Sequence, residues 1–168
     1  MIAAMLRRSV PLMLILALSD ALDTAQATDE TAYGAWTVRC EEVDSDGQPD
    51  CIMYQNLVMR TGGQPVLQIS VGFAPPDNQP TVVLNLPLGI YLPPGIGIRI
   101  DDTPPARFPV ERCDPDGCQA VMKLRDTTVA QLRGGRKLEI EFHDGERQPL
   151  EMPLSLDGFG AAFDAVAD

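Results

Sequence analysis

Two pairs of cysteines, each flanking a turn-rich segment, constrain this chain more than any other feature. Cys40 and Cys51 enclose Asp46-Gly47 and Pro49, and Cys113 and Cys118 enclose Asp114-Pro115-Asp116-Gly117. Asp-Gly and Pro-Asp steps favour tight turns, so each segment reads as a hairpin that brings its two cysteines together. Three pairings are possible among four cysteines, and the turns favour Cys40 with Cys51 and Cys113 with Cys118. Closing loops this short stabilises a fold by roughly 2 to 3 kcal/mol each in the chain-entropy model. The alternatives are chemical. A dithiol redox site would place two residues between its cysteines at a helix start, whereas four, including Pro115 and Gly117, intervene here. A four-cysteine zinc site needs two closely spaced ligand pairs, and only Cys113 and Cys118 approach that spacing.

Disulfides imply an oxidising compartment, and the N-terminus agrees. Arg7 and Arg8 precede the apolar run Val10 to Leu18, and Ala25-Gln26-Ala27 follows, the order of a secretory signal. Residues 1–27 are therefore expected to be a removed signal, with 28–168 as a single periplasmic or secreted domain. The apolar run is far shorter than the roughly 20 residues that cross a bilayer as a helix, so no permanent membrane anchor is expected.

Beyond the signal, period-two alternation recurs. Leu67, Ile69, Val71 and Phe73 alternate with Gln68, Ser70 and Gly72. Val82, Leu84 and Leu86 form a second such set, and Leu138, Ile140 and Phe142 a third. These are half-buried strands. Further strands are expected over Trp36 to Cys40, Cys51 to Met59, Gly97 to Ile100, Ala106 to Arg112, Cys118 to Leu124 and Gln148 to Pro153. Two short helices interrupt them: Thr127 to Arg133, capped by Asp126 and stopped at Gly134-Gly135, and a segment that begins near Asp157 and runs through Phe159 and Phe163 to Val166. The expected fold is mainly β, an antiparallel sandwich or barrel-like domain with one or two short helices and two disulfides.

Charge narrows the partners. The 168-residue chain carries a formal charge of −11, which repels a phosphate backbone and an anionic membrane surface. Neutral, basic or divalent-cation partners are electrostatically easier. No catalytic set is expected. His143 is the sole histidine, it falls on the polar side of its strand, and it reads as a solvated surface residue. No serine lies in a nucleophile elbow, and no glycine-rich phosphate loop is present. The carboxylate pairs Glu41-Glu42, Asp101-Asp102 and Glu139 with Glu141 read as solubilising surface charge. Asp44-Ser45-Asp46-Gly47-Gln48-Pro49-Asp50 clusters oxygen ligands, but it departs from the calcium-loop spacing and lacks the closing glutamate. Neither a metal nor a cofactor is expected.

One stretch resists this account. Leu86-Pro87-Leu88-Gly89-Ile90-Tyr91-Leu92-Pro93-Pro94-Gly95-Ile96-Gly97-Ile98 is apolar yet punctuated like a loop. Pro93 and Pro94 cannot donate to a ladder, so simple alternation cannot bury Leu88, Ile90, Tyr91 and Leu92 together. Either the loop folds back over one end of the sandwich, or these four side chains form a recognition patch.

Several segments, taken in order, resemble the invasion-associated locus B family of bacterial envelope proteins. They are Trp36-Thr37-Val38-Arg39-Cys40, Pro87 to Gly95 followed by Ile98-Arg99-Ile100-Asp101, Arg112-Cys113 to Gly117-Cys118, and Leu154-Ser155-Leu156-Asp157-Gly158-Phe159 before Phe163-Asp164-Ala165. The resemblance implies a secreted or periplasmic β-rich protein, found widely in alphaproteobacteria, with no enzymatic activity or catalytic residues attached. The expected function is accordingly non-catalytic: interaction with an envelope or host protein through Leu88, Ile90, Tyr91 and Leu92. Two other classes compete with it. One is a carrier holding a small apolar or sugar-like ligand in a pocket behind that loop; the other is a thiol oxidoreductase using Cys113 and Cys118.

Overall fold

Alternation of apolar and polar residues builds strands, and turn residues decide where they reverse. The computed structural model describes residues 29–42, 49–58, 65–74 and 77–167. The expected signal, and the acidic tip over residues 43–48, lie outside the described residues.

One sheet has seven strands. They are β1 (Asp29–Tyr33), β2 (Trp36–Glu42), β3 (Pro49–Val58), β4 (Pro65–Ala74), β5 (Gln79–Leu86), β8 (Arg112–Asp114) and β9 (Gly117–Lys123). Their order is β1-β2-β3-β4-β5-β9-β8. A four-stranded sheet combines β6 (Ile96–Ile100), β7 (Ala106–Phe108), β10 (Lys137–His143) and β11 (Pro149–Ser155), in the order β11-β10-β6-β7. Among the described residues both sheets are antiparallel throughout and neither closes on itself, so the architecture is two sheets and not a barrel. Their apolar faces share one core, in which Ile69, Val71 and Leu84 of the larger sheet join Ile98, Ile140 and Phe142 of the smaller.

Trp36 sits at the centre of this core with no solvent exposure. A buried indole N–H needs an acceptor, and Trp36 Nε1 donates to the Ser155 carbonyl at 3.1 Å, tying β2 to the edge strand of the opposite sheet. Gln55 Nε2 donates to the same carbonyl at 3.1 Å. The second helix, α2 (Phe159–Ala167), completes the packing: the Phe159 ring meets the Trp36 ring edge-on at 5.3 Å and lies 5.8 Å from Phe163. The chain enters α2 through Gly158, at φ +81°, where an added Cβ would stand 2.0 Å from the Tyr33 carbonyl oxygen. Only glycine tolerates that approach.

Both expected disulfides are formed, Cys40 with Cys51 and Cys113 with Cys118. Each joins residues that stand directly opposite in adjacent antiparallel strands, Cys40 to Cys51 in β2 and β3 and Cys113 to Cys118 in β8 and β9. The Cys113–Cys118 bridge closes a hairpin and not a helix start.

Three expectations change. The strand anticipated over Ala106 to Arg112 is two strands in different sheets, because Pro109 lacks the N–H that a continuous ladder requires, and the chain crosses between sheets there. Asp126 does not cap the first helix: α1 (Asp126–Gly134) begins with Asp126 already in its first turn, and the capping position is Arg125, with no side-chain hydrogen bond. The second helix starts at Phe159 because Asp157 and Gly158 form the preceding turn. Strand β1 was not anticipated. Its sequence, Asp-Glu-Thr-Ala-Tyr, shows no apolar alternation because it lies at a sheet edge, where polar residues guard unpaired backbone.

Candidate interaction surface

The loop between β5 and β6 carries the chain from the large sheet to the small one, so its two ends are anchored in different sheets. Its middle is anchored too. Tyr91 donates its backbone N–H to the His143 carbonyl at 2.9 Å, an isolated bridge that extends the end of β10. The Arg147 guanidinium lies 5.0 Å from the centroid of the Tyr91 ring, a distance suited to a cation–π contact. Arg147 is placed by the β10–β11 turn, where Asp144 Oδ1 accepts the backbone N–H groups of Glu146 at 2.9 Å and Gln148 at 2.8 Å. Ile90 packs against the core. Gly95 donates its backbone N–H to the Leu92 carbonyl at 2.9 Å and closes the far end of the loop.

The four candidate residues therefore divide. Ile90 and Tyr91 hold the loop onto the sandwich, and Leu88 and Leu92 point outward, 55% and 44% exposed. The loop both covers the end of the fold and presents two leucines from a braced frame. His143 is not a freely solvated residue. Its ring is half-buried, with Nδ1 enclosed and without a hydrogen-bond partner among the described residues.

The acidic pairs are structural as well. On the outer face of the small sheet Glu139 pairs with Arg99 across the strands and with Lys137 Nζ at 2.7 Å, and Glu141 pairs with Arg107. Gly97 lies between Arg107 and Glu141 in register, and having no side chain it lets the guanidinium reach across. Glu139 keeps only 9% of its side-chain surface exposed. Hydrogen bonds from Lys137 and Arg99 hold its carboxyl at a pKa of about 2, below the ordinary 4.5. A carboxyl depressed in the fold stabilises fully above its unfolded value and loses that contribution as it is protonated. The stability gap between the parent and Glu139→Gln should therefore be constant near neutral pH and shrink as the pH falls from 4.5 towards 2. Urea titrations across that range check it; an unchanged gap would refute the pairing. Asp101, in a left-handed conformation at φ +47°, accepts the backbone N–H groups of Arg136 and Lys137 through its carboxylate and so fixes the start of β10.

Among the described residues, the interior offers a ligand little room. The void bounded by Trp36, Ile69, Val82, Ile98, Leu138 and Phe159 measures about 10 Å³, about the volume of a single probe-sized water. Small-molecule pockets usually begin at roughly 300 Å³.

With this geometry in view, the comparisons with known proteins are specific. The family model described as Invasion associated locus B (IalB) protein matches residues 36–167. The chain belongs to the IalB family. Among its curated relatives are two Invasion protein B homologues of Brucella abortus, from strain 2308 and from biovar 1 strain 9-941. Each is 29% identical over 151 residues, covering 89% of this chain and 86% of the relative. Among solved structures, invasion associated protein b from Bartonella henselae superposes with a TM-score of 0.72 at 23% identity, covering 83% of this chain and 95% of that one. The two-sheet fold is thus an IalB fold. The matched span contains both disulfides and the whole of the braced loop.

Proposed function

We propose that this IalB-family chain is an exported, non-catalytic envelope protein that works by binding another protein through the β5–β6 loop. The observation that carries the reading is the division within the loop: Ile90 and Tyr91 hold it in place while Leu88 and Leu92 are held in water. Exposed leucines on a braced frame lose little conformational freedom when a partner covers them, which favours binding. Two disulfides suit an oxidising compartment, and residues 1–27 have the arrangement of a removable export signal.

The test is pull-down from envelope extracts with the parent and with a Leu88→Ser/Leu92→Ser double variant. Burial of the exposed parts of both leucines contributes about 2 to 3 kcal/mol, so the variant should bind its partner about 30- to 140-fold more weakly, at roughly tenfold per 1.4 kcal/mol. Its melting temperature should be unchanged, since neither side chain lies in the core. Ile90 and Tyr91 are left intact because replacing them would loosen the loop. Equal capture by parent and variant would remove the loop from the binding surface.

A further inference from the structure

The outer face of the seven-stranded sheet bears a feature that the loop reading does not use. Asn56 of β3, Gln68 of β4, Asn85 of β5 and Gln119 of β9 stand side by side in register across four adjacent strands. Their side chains form a relay: Gln119 Nε2 donates to Asn85 Oδ1 at 3.2 Å, Asn85 Nδ2 to Gln68 Oε1 at 3.1 Å, and Gln68 Nε2 to Asn56 Oδ1 at 2.9 Å. Asparagine is disfavoured in strands, so this row is not what sheet formation alone selects. It opens onto a depression of about 430 Å³, lined by Asn56, Gln68 and Asn85 together with Val58, Pro87 and Asp116. In a chain with 24 acidic residues, that lining holds a single carboxylate among the described residues. Val58, 57% exposed, supplies an apolar wall.

We propose that this row is a binding site for a neutral saccharide chain. A primary amide has two N–H donors and a carbonyl with two acceptor sites. Gln68 and Asn85 each spend one donor and one acceptor site on the relay, which leaves each with one of both. A vicinal diol is likewise a donor and an acceptor side by side. Strand spacing of about 4.8 Å repeats the free donor and acceptor pairs at an interval comparable to a pyranose ring. The relay fixes the amide planes before a ligand arrives, which reduces the ordering lost on binding. An anionic ligand would be opposed by Asp116 and the acidic chain, and a cation finds one carboxylate only among the described residues. Val58 and Pro87 suit the C–H faces of the sugar rings.

The site meets the β5–β6 loop only at Pro87, and neither Leu88 nor Leu92 lines it, so the two readings can fail separately. The probes are maltohexaose, cellohexaose and chitohexaose, titrated into isotopically labelled protein while the side-chain NH2 resonances of Asn56, Gln68, Asn85 and Gln119 are followed. At least one hexasaccharide should shift these resonances saturably. Gln68→Leu and Asn85→Leu should each weaken that binding at least tenfold, while Leu88→Ser/Leu92→Ser leaves it unchanged. The unfolding midpoint of each variant shows that it is folded, and Gln68→Glu serves as a second variant that keeps the side-chain shape and adds a charge. The proposal is overturned if none of the three probes shifts the row, or if the shifts persist in folded Gln68→Leu, Asn85→Leu and Gln68→Glu.

Discussion

Replacing Cys40 and Cys51 by alanine together with Cys113 and Cys118 should lower the unfolding free energy by about 4 to 6 kcal/mol. Each bridge closes a short loop, with sequence separations of 11 and 5, and each such closure removes about 2 to 3 kcal/mol of freedom from the unfolded chain. A domain of this size has about 5 to 15 kcal/mol in total, so the quadruple variant should be marginal at best. The two double variants should differ modestly. Loop length favours the Cys40–Cys51 bridge, which also lies inside the large sheet between β2 and β3, while Cys113–Cys118 closes the hairpin at the sheet's opposite edge. Urea unfolding of the parent and of the three variants measures this. A loss below about 1 kcal/mol on removal of all four sulfurs would mean that the native sheet holds both hairpins without them, against the entropic argument.

Trp36→Ala should cost about 3 to 5 kcal/mol, the range for truncating a large buried aromatic. Three losses coincide there: the cavity left in the core, the edge-on contact with Phe159 and the hydrogen bond to Ser155. Trp36→Phe separates them, because it keeps most of the volume while removing the N–H, and it should lie between the parent and alanine. The sequence has one tryptophan, so fluorescence reports the parent and circular dichroism must follow both variants. A loss under about 1 kcal/mol for Trp36→Ala would show that the core collapses around the gap.

Both disulfides were legible because each closes a hairpin whose turn is written in adjacent residues. The strongest strands were legible for the same reason, since alternation in β4, β5 and β10 is local. What depended on distant partners was not. Pro109 marks an interruption after Phe108, but nothing near it says that the chain then changes sheet. In the apolar loop, Ile90 and Tyr91 cannot be told from Leu88 and Leu92 by hydropathy; the core under Ile90, and the His143 carbonyl and Arg147 at Tyr91, separate them. The amide row was out of reach for a related reason. Asn56, Gln68, Asn85 and Gln119 become neighbours only through the registers of three strand pairs. The acidic residues misled differently: Glu139 lies on the polar side of its strand, as its position predicts, yet it is enclosed by the cations of Arg99 and Lys137.

The contact between Trp36 and Phe159 bears on how the molecule comes into being. It joins a residue of the second strand to the first residue of the last helix, so the hydrophobic centre cannot be completed by any early portion of the chain. A polypeptide emerging N-terminus first, from a ribosome or through a translocation pore, would hold Trp36 unsheltered until Phe159 had followed it out. Contacts of such long sequence separation slow folding. In a chain exported as proposed above, that delay would keep the polypeptide threadable during passage and let the sheets close on the far side, in a compartment where cysteines can be oxidised.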